Sequence, residues 1–247
     1  MTNRILGAAA LVLLAATDAD AGLRLSAWSF DSFTVPERHV ELEQWITQDI
    51  SGMDGMAGST QFLWGPVVGV TDQLELTLPV TAVYSRAMNT TQFLSWGLDA
   101  RFRLVPRDSD PQNRRKLVPL IRAGVRRLVA DDDDVRIAAH AVLGYDPTPQ
   151  IHIVANAGVS ALTDPRTIVI EYSLGATYAV TPDVRLGIDA FGNYDADNPM
   201  DVKTGRFAVG PAVALTHGRF WVAASVPFGV TSKSPDALPR LIWAIAF

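Results

Sequence analysis

The chain contains no cysteine. Disulfides, thiolate metal sites and cysteine nucleophiles are therefore excluded, and avoidance of thiols is compatible with an oxidising compartment. Beyond the first residues it also lacks any apolar run close to the ~20 residues that a membrane helix needs. Yet 48% of its 247 residues are hydrophobic, and its mean hydropathy is +0.15. Apolarity without a helix-length run points to a closed β-barrel, the other architecture that pairs every backbone group in lipid. Excess positive charge is missing too. The formal charge is −5, so there is no electrostatic reason to expect nucleic acid as a partner.

What the first residues do contain reads as an address. Arg4 supplies a short positive region, and Ile5 to Ala16 form an apolar stretch too short to span a bilayer. Ala19-Asp20-Ala21 places small residues where a signal peptidase reads them, so residues 1–21 are expected to be a signal peptide cleaved before Gly22. Residues 22–37 are then a periplasmic N-terminal segment, and 38–247 the barrel.

From Arg38 onward the period is two. Leu74, Leu76, Leu78 and Val80 alternate with Glu75, Thr77, Pro79 and Thr81. Trp96, Leu98, Ala100 and Phe102 alternate with Gly97, Asp99, Arg101 and Arg103, and Ile168, Ile170, Tyr172 and Leu174 with Glu171, Ser173 and Gly175. Successive strand side chains point to opposite faces, so each segment has one apolar face and one polar or small-residue face. About twelve such segments can be marked: 38–49, 59–70, 73–85, 92–104, 116–128, 134–145, 150–161, 167–180, 183–194, 204–216, 219–230 and 238–247. Most have the ~9–11 residues that a tilted membrane strand needs. Patterns at 38–49 and 116–128 are less clean, because Gln44 and Arg127 fall on the apolar face, and ten strands is the alternative. The fold class is all-β, a transmembrane antiparallel up-and-down barrel. In a soluble barrel the apolar faces would point inward, but the opposite faces are rich in Gly, Ala and Ser rather than Lys and Glu.

Connections alternate in length. Thr71-Asp72-Gln73, Asp146 to Pro149, Thr181-Pro182-Asp183 and His217-Gly218-Arg219 are tight turns. The links at 49–58, 86–91, 195–203 and 231–237 are longer. Short periplasmic turns and longer external loops are the asymmetry of outer-membrane barrels. The long, basic link Val105–Arg115 breaks this rule. Tyr84 and Tyr194 lie near one set of strand ends and Tyr145 and Tyr178 near the other, as interfacial girdles should.

Leu241, Trp243, Ile245 and Phe247 alternate back from a terminal Phe. This looks like the C-terminal strand signal that barrel-insertion machinery reads in outer-membrane proteins. The stretch Gly69-Val70-Thr71-Asp72-Gln73-Leu74-Glu75-Leu76 resembles a strand–turn–strand of the transporter barrels linked to phenol-degradation (meta-cleavage) operons. The resemblance in pattern covers most of the mature chain and implies a Gram-negative outer-membrane barrel.

The inward faces carry Glu75, Asp99, Glu171 and Asp189 with Arg101, Arg103, Arg122, Arg136, Arg185, Arg206 and Arg240. These could line an aqueous path that favours anions, or pair into a plug that fills the lumen. His140, His152 and Asn156 share the inward face of adjacent strands, with Ser160 near. A hydrolase would need serine and histidine in hydrogen-bond contact. Asp131–Asp134 and Asp195-Ala196-Asp197-Asn198 are acidic loops, but Met200 and Arg206 stand where a calcium loop starting at Asp195 needs Gly and Glu. No metal and no cofactor is expected. The leading reading is an outer-membrane channel for passive uptake of a small solute, not an enzyme. A structural or surface-interaction barrel with a blocked lumen is the alternative, and an outer-membrane lipid hydrolase the second. Its partners are outer-membrane lipid, the insertion machinery and a small-molecule solute.

Overall fold

A computed structural model describes residues 24–50, 58–106, 117–129, 134–163, 167–196 and 205–247. The expected signal peptide and its cleavage before Gly22 lie outside the described residues, as do Asp131–Asp133, Asp197, Asn198 and most of the 105–115 link. Among the described residues there is no helix. Fourteen strands form one antiparallel sheet: β1 Val40–Gln48, β2 Ser59–Gly69, β3 Leu74–Thr77, β4 Val80–Ser85, β5 Thr90–Arg103, β6 Leu117–Leu128, β7 Val135–Thr148, β8 Ile151–Leu162, β9 Thr167–Ala179, β10 Val184–Asp195, β11 Arg206–His217, β12 Phe220–Ser225, β13 Phe228–Gly229 and β14 Arg240–Ala246.

β3 and β4 are halves of one span, as are β12 and β13. The breaks fall at Leu78-Pro79 and Val226-Pro227, where proline has no N–H for the ladder. The wall is therefore twelve strands, each paired with its neighbour in the chain. It closes because β1 pairs with β2 on one side and β14 on the other, in the register Glu41↔Ala246 through Thr47↔Arg240. The two segments with unclean patterns are strands as well. Gln44 sits across from Trp64 and Trp243, and Arg127 across from Trp96.

Burial runs opposite to that of a water-soluble protein. Leu186, Ile188, Ile137 and Trp96 are more than half exposed, whereas Glu41, Glu75 and Asp189 are at most 1% exposed. Apolar residues at this density on an outer face need hydrocarbon around them, and the charges inside need partners. Tyr145 and Tyr178 are exposed at the end with the short turns. Those turns share a device: Thr71, Thr148 and Thr181 hydroxyls accept backbone N–H bonds from Leu74, Ile151 and Val184 at 3.0–3.2 Å. Gly218, at φ +56°, supplies the left-handed residue between β11 and β12.

One assignment needs correction. The sequence reading makes 22–37 a periplasmic N-terminal segment, whereas its described residues 24–35 lie against the inward face of the wall, inside the lumen. Leu25 and Ala27 pack with Trp221, Ala223, Ile242 and Ala244 on one side of the wall. Phe30 rests on Leu120, Val142 and Val154 on another. Pro36 to Arg38, with Arg38 at φ +65°, turns the chain out into β1. The segment has no strand period, and its Ser26, Ser29, Asp31, Ser32 and Thr34 are buried.

Closure ends at the last residue, whose N–H donates to the Val40 carbonyl at 2.8 Å and whose carbonyl accepts from Val40 N–H at 3.5 Å. Deleting Phe247 removes both bonds, a loss of about 1–2 kcal/mol. Refolding into detergent micelles, followed by the gel shift between unboiled and boiled samples, should give a clearly smaller folded fraction for the deletion. Phe247→Ala, which keeps the backbone bonds, should retain most of it. Equal fractions for the deletion and the wild type would show that these closing bonds contribute nothing.

Candidate functional site

The segment 24–35 is held by four sets of side chains from the wall. Glu75 on β3 accepts from Arg24 and Arg101, each at 2.9 Å, and from the Val35 N–H at 2.8 Å. Asp189 on β10 accepts from the Ser26 hydroxyl and the Ala27 N–H. Asn156 on β8 pairs with Phe30 as a strand would, its Oδ1 accepting the N–H at 2.6 Å and its Nδ2 donating to the carbonyl at 2.9 Å. Arg101 also donates to the Asp31 carbonyl, and His152 Nδ1 lies 2.6 Å from Asp146 while its Nε2 faces Asp31 at 3.2 Å. Apart from the half-buried Asp146, the ions in this set are buried, and each meets an opposite charge or several donors, which is what makes burial tolerable.

The segment thus plugs the lumen in its short-turn half. On the long-loop side of the plug lie two adjoining cavities of about 230 and 200 Å³. Phe30, His140, Glu171 and Arg240 line both. Arg122 and Arg126 each donate to Asp99 at 2.8 Å, and the Arg122 guanidinium also lies 3.9 Å from the Phe30 ring centre. Arg122 contacts His140 Nδ1 at 3.3 Å. Arginine can only donate, so Nδ1 accepts and the ring proton sits on Nε2, donating to Glu171 at 2.7 Å. Arg240 stacks on Trp28 at 3.5 Å, and Trp28 stacks in turn on Phe191 at 3.7 Å.

The inward residues named from the sequence therefore divide by height. Glu75, Arg101, His152, Asn156 and Asp189 grip the plug. Asp99, Arg122, Arg136, His140, Glu171 and Arg240 line the chamber. Arg103 is buried in the wall near the short turns, and Arg185 bonds Thr177 and the Gln150 carbonyl at the same end. Arg206 stands exposed at the start of β11. His140 and His152 are not brought together. His140 and Ser160 both bind Glu171, so the carboxylate stands between them. Asp134 serves its hairpin, accepting from Thr163 and the Val135 N–H. Among the described residues no three metal-ligating side chains cluster.

Two groups escaped the sequence reading. Trp45 and Arg126 were legible, since each keeps the inward parity of its strand. Arg24, Ser26, Trp28, Phe30 and Asp31 were not, because an irregular segment carries no period to follow.

The closed antiparallel barrel is a fold shared with solved outer-membrane channels and porins. The chain is similar to the COG4313 outer membrane channel from Pseudomonas putida F1 (TM-score 0.61, 12% identity, covering 89% of this chain and 99% of that one). It is also similar to the KdgM porin (TM-score 0.52, 8% identity, 84% and 99%) and the NanC porin (TM-score 0.50, 10%, 83% and 98%). No family profile matches the chain, and neither does any curated protein.

The absence of native cysteine makes the plug's grip measurable. Asn156→Ala strips both backbone groups of Phe30 of their partners, a cost of about 1–3 kcal/mol for each group left buried. A single cysteine at Ser29, a buried residue, should react slowly with a maleimide in the parent barrel and about tenfold faster once Asn156→Ala is added. Equal labelling rates would mean that Asn156 does not hold the segment.

Proposed function

We propose that the chain is an outer-membrane channel for uptake of a small solute, closed by its own residues 24–35. The observation that carries this reading is the join between plug and wall. The plug contributes no strand to the sheet and is tied to it mainly by side-chain hydrogen bonds. It can leave without breaking the barrel's backbone ladder, and above it lies a chamber open to a solute. The similar barrels are an outer membrane channel and two porins, one of which has also been seen in complex with an oligogalacturonate. That company favours a transport role over a hydrolytic one. Within this proposal, residues 1–21 direct export and are removed before Gly22. Leu241, Trp243, Ile245 and Phe247, on the lipid face of the last strand, are what the insertion machinery reads.

The test is conductance in planar bilayers. Wild-type protein should pass small or intermittent currents, and deletion of residues 24–34 should raise them several-fold. Because Arg122, Arg126, Arg136 and Arg240 line the path against Asp99 and Glu171, the opened pore should prefer anions. Silent bilayers with both proteins would instead support a structural barrel with a blocked lumen.

A further inference from the structure

We infer that the chamber above the plug is a binding site for a small organic carboxylate with a flat apolar body, anchored by Arg136 and Arg240. The inference deepens the channel reading by giving its solute a chemical class. It begins with the charges. Four arginines and two acids line the larger cavity. Asp99 is already shared by Arg122 and Arg126, and Glu171 is engaged by His140 and Ser160. Both acids are thus spent on groups of the wall.

Arg136 and Arg240 are left over. Among the described residues no carboxylate lies within hydrogen-bonding distance of either. Arg240 is oriented nonetheless. Its Nε donates to Thr47 Oγ1 at 2.9 Å, and one terminal nitrogen reaches the Ala27 carbonyl at a long 3.4 Å. Asp189, the acid whose charge it feels, has both oxygens occupied by Ser26 and Ala27. A guanidinium held through Nε and one terminal nitrogen, on a residue that lines both cavities, keeps donors for a carboxylate. Arg136 stands exposed on the chamber wall and, among the described residues, its side chain has no hydrogen-bond partner.

The body of the ligand is specified by what surrounds these cations. Trp45 and Phe30 line the chamber, Trp45 lying 5.3 Å from the Arg240 guanidinium, whereas Trp28 is already covered by Arg240 on one face and Phe191 on the other. Aromatic faces beside a cation suit a flat apolar group ending in an anion. A cation would meet net positive charge, and inorganic phosphate would make no use of the Trp45 and Phe30 side chains that line the chamber.

Benzoate is the probe and benzyl alcohol its uncharged counterpart, both measured by equilibrium dialysis of labelled compound against the full chain folded in detergent. Benzoate should bind saturably, with benzyl alcohol at least about tenfold weaker. R136Q and R240Q should each weaken benzoate by about tenfold or more and leave benzyl alcohol unchanged. R136Q is the cleaner variant, because among the described residues no hydrogen bond ties Arg136 to the plug, whereas Arg240 bonds Ala27 and stacks on Trp28. Equal binding of the two compounds overturns the site, and so does unaltered benzoate binding in both variants. Binding requires no transport. Protein that binds benzoate but passes no current keeps the site and loses the channel reading, whereas protein that conducts without binding benzoate loses the site.

Discussion

An unpaired strand edge in hydrocarbon leaves N–H and C=O groups with neither water nor protein to bond, each costing several kcal/mol by rough estimate. The pairing of β14 with β1 removes that edge, and the rest of the molecule follows from it. Once the sheet is closed, a period of two in the sequence becomes an inside and an outside. Leu241 and Ile245 face out beside the seam, while Ile242, Ala244 and Ala246 face in and are buried. The two proline breaks are tolerated because each interrupts one span and leaves the ring of paired neighbours complete.

Closure also creates the problem that the plug resolves. A narrow barrel with charged inward faces must hydrate those charges or pair them. In the short-turn half they are paired, and several partners come from residues 24–35 rather than from the wall: Arg24 for Glu75, Ser26 and Ala27 for Asp189, the Phe30 backbone for Asn156. In the long-loop half the wall pairs only part of its own charge and leaves Arg136 and Arg240 to the chamber. One chain thus carries a satisfied, closed half and a charged, receptive half. The boundary between them is marked by Trp28 and Phe30, which touch the plug's anchors on one side and the cavities on the other.

Legibility in the sequence followed periodicity. Wherever a strand crosses the wall, parity alone assigned faces, so Glu75, Asp99, Arg122, His140, Asn156 and Asp189 were found inward from residue order. Even the disturbed strands yielded, because Gln44 and Arg127 each break one position of an otherwise regular alternation. Parity cannot say what an inward residue touches. That Asn156 imitates a strand for Phe30, and that Glu171 separates His140 from Ser160, depends on pairings across the lumen between residues far apart in the chain. The plug was missed for the same reason. Its place is set by long-range hydrogen bonds, and its own sequence reads only as a short polar and aromatic stretch ahead of the first strand.

The central claim is that residues 24–35 close the lumen and that their displacement opens it. A cysteine pair at Ser26 and Gly175 can hold the plug covalently: a Cβ on Gly175 would lie 3.0 Å from that of Ser26, so the plug must draw back by about 0.5–0.8 Å to reach the ~3.5–4.5 Å of a disulfide. Current through this variant in planar bilayers, recorded oxidised and then after addition of a reductant, tests the claim directly. The account requires current to be suppressed while the bond is intact and to rise when it is reduced. Equal currents in the two states would contradict it.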